Sequence, residues 1–443
     1  MKMKKTLIVL LSVLVLTMGY FKGFCADEEA KQIPLKKAWE LGTRFSTHPE
    51  LYQKWYNDLE KRVKEKKDRG TAWDPVIIEF NNLINSDPIV RMYITKMIEQ
   101  SHCVDSERKP HLKNIDDMLN KIDAVLTTAP KYEDSGLVGF PINAILIDTM
   151  ATPAGYAAFR NEKINSMYKK IIDRWATYLR SPGSREVIKT SWNCPEAKEK
   201  LKMEQYKKYN PKDIYWGYDS WNDFFIREIK EEYRPIDGSR EEGENAKIIV
   251  SACDSQIFQI YNNVQKSDRF WIKSQPYSLD DMFGNEGKSY VDQFKGGDVY
   301  QAFLCAFDYH RWHSPVSGTI KAAYLIPGTY YSQAEAVGVD PSGPDLSQGY
   351  IAQTAARAMI LIQADDPAIG LMAVMPVGMG EVSSCVFNEN TKPGKWVKKG
   401  NELGYFQYGG STHCLIFRPG VIKEFTLQKD VKVKMGRQIA VAN

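Results

Sequence analysis

The stretch QYGGSTHCLIF, Gln407 to Phe417, sets Gly409, Gly410, Ser411 and Thr412 between two runs of strand character, Tyr405–Phe406 and Leu415–Ile416–Phe417. Glycine inside a strand marks a bulge or a close backbone approach, and two glycines followed by two hydroxyl residues also suit a tight turn. The turn is the plain reading. The other reading is that the backbone itself is the reactive group, with the Ser411 hydroxyl beside a carbonyl that no Cβ obstructs. The rest of the chain has to decide.

Outward from this stretch the texture is β-rich. From about Pro211, short β-branched and aromatic runs such as GGDVYQAFLCAF, ARAMILIQADDP and GLMAVMPVGMG alternate with Gly, Pro, Asn and Asp turns. Ile33 to Tyr206 reads as mainly helical. Asp74-Pro75 and Asp87-Pro88 are N-cap and first-turn pairs. Val76, Phe80, Leu83 and Ile84 follow the first pair, and Met92, Tyr93 and Met97 the second. Ile115, Met118, Leu119 and Ile122, then Ile164, Tyr168, Ile171, Trp175 and Leu179, mark further core faces. Gly136 to Gly155 reads as a long ordered connection. The fold class is therefore α+β, a helical domain over residues 27–208 followed by a β-rich domain over 209–443. No fixed period recurs, which excludes a solenoid or propeller.

The 443 residues are 43% hydrophobic and 12% aromatic, enough for a proper core and against wholesale disorder. Lys2, Lys4 and Lys5 precede the apolar run Leu7 to Met18, which is short for a membrane span and has the layout of a signal peptide over residues 1–26. This predicts an exported protein, periplasmic or secreted, with membrane contact only through that segment. Without it the chain loses four lysines and no acid, leaving 55 basic and 55 acidic side chains. Such a balance provides no pull toward nucleic acid. The six remaining cysteines form no C-x-x-C pair, which argues against a zinc or thioredoxin-type site.

Six histidines occur, and two share FDYHRWHSPVSG, which holds Asp308, His310, His313 and Ser314. An H-x-x-H pair invites a metal, but no third ligand lies nearby, so no metal is expected. Acid–base work suits imidazole better, because it takes a proton from a serine hydroxyl near neutral pH. Ser411, His313 and Asp254 of VSACDSQIF can be assembled into a Ser–His–Asp set. GGSTH departs from the G-x-S-x-G elbow of α/β-hydrolases. An exported serine hydrolase and a non-catalytic binding protein stay open as alternatives at this point.

The motifs SWNDFFIREIKEEYRPID, VSACDSQIF, IKSQPYSLDDMFG, FKGGDVYQAFLCAFDYHRWHSPVSGTI and KKGNELGYFQYGGSTHCLIF occur in order across roughly residues 213–420. This run resembles the phosphatidylserine decarboxylase family of pyruvoyl-dependent enzymes. The resemblance implies self-cleavage between Gly410 and Ser411, with Ser411 becoming the pyruvoyl cofactor. It also implies a maturation triad of Ser411, His313 and Asp254 and a separate catalytic role for His310. The phospholipid-specific pattern has Pro-Ala-Asp-Gly where this chain has Ala252-Cys253-Asp254-Ser255, and Leu-Gly-Ser-Thr where it has Gly409-Gly410-Ser411-Thr412. The acid and the Gly–Ser bond are kept, so these departures bear on the substrate alone.

GFPINAILIDTMATPAGYAAF, SQGYIAQTAARAMILIQADDPAIGLMAVMPVGMGEVSSC and GGSTHCLIF are more similar to the branch containing L-tryptophan decarboxylases. That likeness implies a free aromatic amino acid as substrate, with phosphatidylserine, converted to phosphatidylethanolamine, as the alternative. Tyr330, Tyr331 and Tyr350 are candidates for the pocket wall. The implied chemistry is an imine between the substrate amine and the ketone, followed by loss of CO2 and release of a primary amine. After cleavage the C-terminal chain, Ser411 to Asn443, stays as a partner of the rest.

Overall fold

Aspartate–proline pairs start two of the early helices, because proline fixes φ at the first position and the carboxylate takes an orphaned N–H. The computed structural model describes residues 49–102, 112–132, 140–150, 152–240, 242–268, 277–305, 308–334, 347–381 and 384–443. The proposed signal segment, Cys103 and residues 335–346 of the expected pocket wall lie outside them. The first helices are α1 (Pro49–Asp68), α2 (Pro75–Ser86), α3 (Pro88–Ser101) and α4 (Ile115–Val125), and the expected starts at Asp74-Pro75 and Asp87-Pro88 hold. Asp74 accepts the N–H of Val76 at 3.1 Å, and Asp87 those of Ile89 and Val90 at 2.9 and 3.2 Å.

Two sequence readings need correction. The buried stripe of α3 is Val90, Ile94, Met97 and Ile98, and Met92 is 50% exposed, since residues four apart from Val90 share the inward face. The stretch read as a connection contains two helices, α5 (Pro141–Met150) and α6 (Pro153–Ala158). Its Pro, Ala and Gly residues start and pack these helices: Thr152 caps α6 on the N–H of Gly155 at 3.0 Å. Nine of the ten residues of α5 are buried, so it lacks the amphipathic period by which helices are read. The long helix α7 (Glu162–Leu179) buries Ile164, Tyr168, Ile171, Trp175 and Leu179 as its spacing predicts.

The strands are β1 (Ile248–Val250), β2 (Ser255–Tyr261), β3 (Asp298–Leu304), β4 (Arg311–His313), β5 (Gly318–Ile326), β6 (Arg357–Ala364) and β7 (Leu371–Gly378). They continue with β8 (Ser384–Phe387), β9 (Trp396–Val397), β10 (Glu402–Gln407), β11 (Ser411–Phe417), β12 (Ile422–Phe425), β13 (Lys432–Val433) and β14 (Gln438–Ala442). Eight form an antiparallel sheet in the order β13-β2-β3-β11-β7-β6-β5-β9. β1-β14-β12 and β4-β10-β8 form two three-stranded sheets. The α+β class is as expected.

β11 lies between β3 and β7, and all seven of its residues are buried. One face carries Leu415 and Phe417 into a core with Tyr300, Trp312 and Phe406. The other carries Cys414 and Ile416 into a core with Tyr277, Met375 and Val377. A third core joins the helices to Phe225, Tyr309, Tyr331 and Tyr408, and the described residues all fall in one compact unit. Asp74→Ala removes the α2 cap, and urea denaturation is expected to show a loss of about 1 kcal/mol.

Candidate active site

Residues Tyr408 to Gly410 pass from β10 into the central strand β11. Gly409 has φ +119°, a conformation open to glycine and rarely to other residues. A Cβ on Gly410 would lie 2.2 Å from the ring of Phe140, at the entry to α5, so the helical region closes directly over this peptide. The carbonyl of Gly410 accepts the N–H of Met379 at 3.1 Å, one residue past β7. That donor polarises the carbonyl and favours negative charge on its oxygen. Ser411 begins β11 opposite Leu304 and Gly378; it is fully buried and its Oγ has no hydrogen-bond partner.

Strand alternation puts Ser411 on the face that carries Leu415 and Phe417. Trp312 and Cys253 share the core on that face, while His313, next to Trp312 in β4, turns toward Tyr309 of the third core. The three predicted maturation residues thus come from β11, β4 and the turn before β2. No hydrogen bond joins them to one another. His313 sets Nδ1 against the carbonyl of Gly400 at 2.9 Å, which assigns the proton to Nδ1, and the Tyr309 hydroxyl meets Nε2 at 3.1 Å. Burial lowers its pKa and keeps the imidazole neutral, the state a proton acceptor requires.

Asp254 is engaged elsewhere. Its carboxylate takes Arg234 Nε at 2.9 Å, Lys434 Nζ at 3.1 Å and the Met435 N–H at 2.8 Å. Burial alone would raise its pKa, but the Arg234 guanidinium outweighs that and holds it below the usual carboxylate range. His310 is buried against the ring of Phe225, 4.2 Å between centroids, with neither nitrogen bonded. Burial, reinforced by the charge of Arg227, pushes its pKa down to about 3. Asp308 bonds the Cys305 N–H at 2.7 Å rather than an imidazole. His413, to which the sequence assigned no role, is likewise buried and unbonded.

The aromatic wall divides. Tyr331 packs edge-on against Tyr168 of α7 at 5.2 Å, whereas Tyr350 lies in the core on the Cys414 face and bonds Ser332. Tyr408 links Trp175 at 4.6 Å to Phe225 at 5.1 Å, and so leads from α7 to His310. Sequence reasoning passed over Phe140, Asn143, Met379 and Glu381. Glu381 is fully buried; Oε1 accepts the N–H of Asn143 at 2.7 Å in the first turn of α5, and Oε2 has no partner. Burial pushes its carboxyl up to about 8. The side-chain oxygen and nitrogen of Asn143 are also unpartnered, and each such buried group costs on the order of 1–3 kcal/mol. One sequence signal existed: a charged residue directly after the buried run LMAVMPVGMG.

A free buried hydroxyl stands next to a polarised glycyl carbonyl, an arrangement chemically suited to attack of the serine on the preceding peptide. Two family models, both described as phosphatidylserine decarboxylase, match residues 221–441 and 74–201. An L-tryptophan decarboxylase of Psilocybe cyanescens is 32% identical over 95% of this chain and 93% of its own length. Decarboxylase iboD of Amanita muscaria is 36% identical over 63% of this chain and 84% of its own. A phosphatidylserine decarboxylase proenzyme of Fusobacterium nucleatum is 31% identical over 54% of this chain and 73% of its own. The chain belongs to the phosphatidylserine decarboxylase family. It is a carboxy-lyase, a pyruvoyl-dependent decarboxylase whose cofactor forms from serine.

The residues at Gly410–Ser411 fit that group: the hydroxyl is free and the carbonyl is held. The close approach of Phe140 has its own consequence. Gly410→Ala is expected to lower the fraction of chain cleaved during expression, and Gly410→Ala/Phe140→Ala to recover part of it. Intact mass under denaturing conditions reads both.

Proposed function

We propose that the chain matures by cleaving its own Gly410–Ser411 bond and then decarboxylates a free aromatic amino acid. In maturation, Ser411 Oγ attacks the Gly410 carbonyl carbon while the Met379 N–H supports the oxygen and His313 Nε2 takes the proton. The amide becomes an ester; elimination leaves a carboxylate on Gly410 and dehydroalanine at 411; water then enters and ammonia leaves. The Gly400 carbonyl holds the His313 ring, and the Tyr309 hydroxyl, which meets Nε2 in the resting fold, releases it for this transfer. Asp254, fixed by Arg234, contributes negative charge that steadies the imidazolium. The pyruvoyl group supplies an electrophilic carbonyl that draws electrons from the bond to the departing CO2.

During turnover His310, neutral and with both nitrogens free, is the group we assign to take the proton released by the substrate ammonium and return it to the substrate carbon after CO2 leaves. The observation that carries the choice of substrate is the cover over the reacting bond. Phe140 packs directly over the Gly410 peptide, and Tyr168, Trp175, Tyr331 and Tyr408 form a buried aromatic cluster contributed by both the helical and β-rich regions. A free aromatic side chain matches such walls better than a glycerophosphate does. The similarity to a protein named for tryptophan, which runs nearly the whole length of both chains, supports the same reading. Export through the segment of residues 1–26 is part of the proposal, resting on its lysines and apolar run.

Ser411→Ala is expected to stay uncut, His313→Ala to accumulate the uncut chain, and Asp254→Asn to do so less completely. His310→Ala is expected to be cut and to release CO2 at least about 100-fold more slowly. Cleavage blocked in the His310 variant and normal in the His313 variant would reverse the two roles. Processed enzyme offered tryptophan, tyrosine, phenylalanine and phosphatidylserine vesicles is expected to release CO2 from the amino acids; turnover of the vesicles alone would overturn the substrate assignment.

A further inference from the structure

Several of the unpartnered buried atoms among the described residues lie beside the Gly410–Ser411 bond. Met379 binds the Gly410 carbonyl, Gly380 follows with φ +68°, and the next residue is Glu381. A Cβ placed on Gly380 would lie 3.9 Å from Asn143 Cβ and 4.0 Å from its Oδ1, so Asn143 and the Met379–Glu381 turn are immediate neighbours. Phe140, one turn before Asn143, touches Gly410 itself. Glu381 Oε2 and both polar atoms of the Asn143 side chain make no hydrogen bond, as does the hydroxyl of Tyr331. Both Glu381 and Asn143 are 0% exposed.

A structural role accounts for one Glu381 oxygen, which ties the first turn of α5 to the β-rich region through the Asn143 N–H. It accounts for neither the other oxygen nor the Asn143 amide. Chains keep buried polar atoms unpaired where a ligand supplies the missing partner. The substrate's reacting end is common to every amino acid and is met by the ketone and His310. The part that varies is the side chain, and it must lie between the aromatic walls.

Resting on the aromatic-substrate reading, we propose that Asn143 and Glu381 form the polar end of the substrate pocket and accept the hydrogen-bond donor of the substrate ring, an indole N–H. The Asn143 oxygen and Glu381 Oε2 offer acceptors among apolar walls. Burial raises the Glu381 carboxyl to about 8, so Oε2 accepts from the indole N–H in the ionised form, while the Asn143 oxygen accepts in either state. Sites built around such a bond discriminate against analogues that lack the donor, since the protein's own atoms are then left unpaired. Both residues are specificity-determining and stand apart from the cleavage chemistry.

The test compares tryptophan, 1-methyltryptophan and phenylalanine on processed enzyme, with Asn143→Ala, Glu381→Leu and Glu381→Gln. Wild type is expected to favour tryptophan over 1-methyltryptophan by about 100-fold in kcat/KM. Asn143→Ala and Glu381→Leu are expected to erase most of that preference while phenylalanine turnover changes by less than about threefold, and Glu381→Gln to restore it in part. Self-cleavage should be unchanged in Asn143→Ala, whose side chain makes no bond in the fold. A second arm needs no ketone: calorimetry on full-length Ser411→Ala is expected to find tryptamine binding about tenfold tighter than 1-methyltryptamine, with the difference gone in Ser411→Ala/Asn143→Ala. Equal losses on all three substrates, or discrimination unchanged in both variants, would overturn the proposal, as would equal binding of the two amines. If the wild type turns over phosphatidylserine alone, the aromatic-substrate reading fails, and the calorimetric arm still decides whether this pocket holds an indole.

Discussion

The N–H of Met379 on the carbonyl of Gly410, 3.1 Å apart, ties the reactive peptide to the middle of the large sheet. β7 and β11 pair without interruption from Leu415–Val374 to Ser411–Gly378, and this bond extends the same ladder by one residue. Because the ladder is rigid, the carbonyl cannot rotate away from its donor. Because β11 is buried on both faces, water cannot compete with the serine hydroxyl for that carbonyl. Precision at the bond therefore comes from the central strand of a sheet rather than from a surface loop.

Burial is the dominant electrostatic effect throughout the site, and it acts in opposite directions on acids and bases. It keeps His313 and His310 neutral and raises Glu381 toward a protonated acid. Asp254 is the exception, since Arg234 and Lys434 supply enough positive charge to keep it ionised. The protein thus holds one buried carboxylate charged and another raised toward neutrality, and the difference follows from their partners.

The helical region is part of the site rather than an appendage. Phe140 stands against Gly410, the first turn of α5 binds Glu381, and Trp175 of α7 packs on Tyr408 beside the reactive peptide. This joint construction explains why α5 is apolar around almost its whole circumference. One side meets the other helices and another, with Asn143, meets the β-rich region, so nine of its ten residues are buried.

The sequence alone determined the α+β class, the helix starts at Asp74 and Asp87 and the buried strand after Gly410, and it pointed to the Gly–Ser bond as the reactive element. Each is local: a cap oxygen two residues from its N–H, a glycine before a serine, a run of apolar residues. It also singled out Ser411, His313, Asp254 and His310, through ordered motifs rather than through spacing. Other features were invisible because they depend on residues far apart in the chain. Glu381 and Asn143 are 238 positions apart, and no periodicity or motif links them before the chain folds. Tertiary structure decided that Asp254 bonds Arg234 rather than His313, that a stretch resembling a connection forms α5, and that an aromatic ring from the helical region seals the bond. The physical reason is common to all three: a buried polar or reactive group takes its character from whatever long-range contacts exclude water around it.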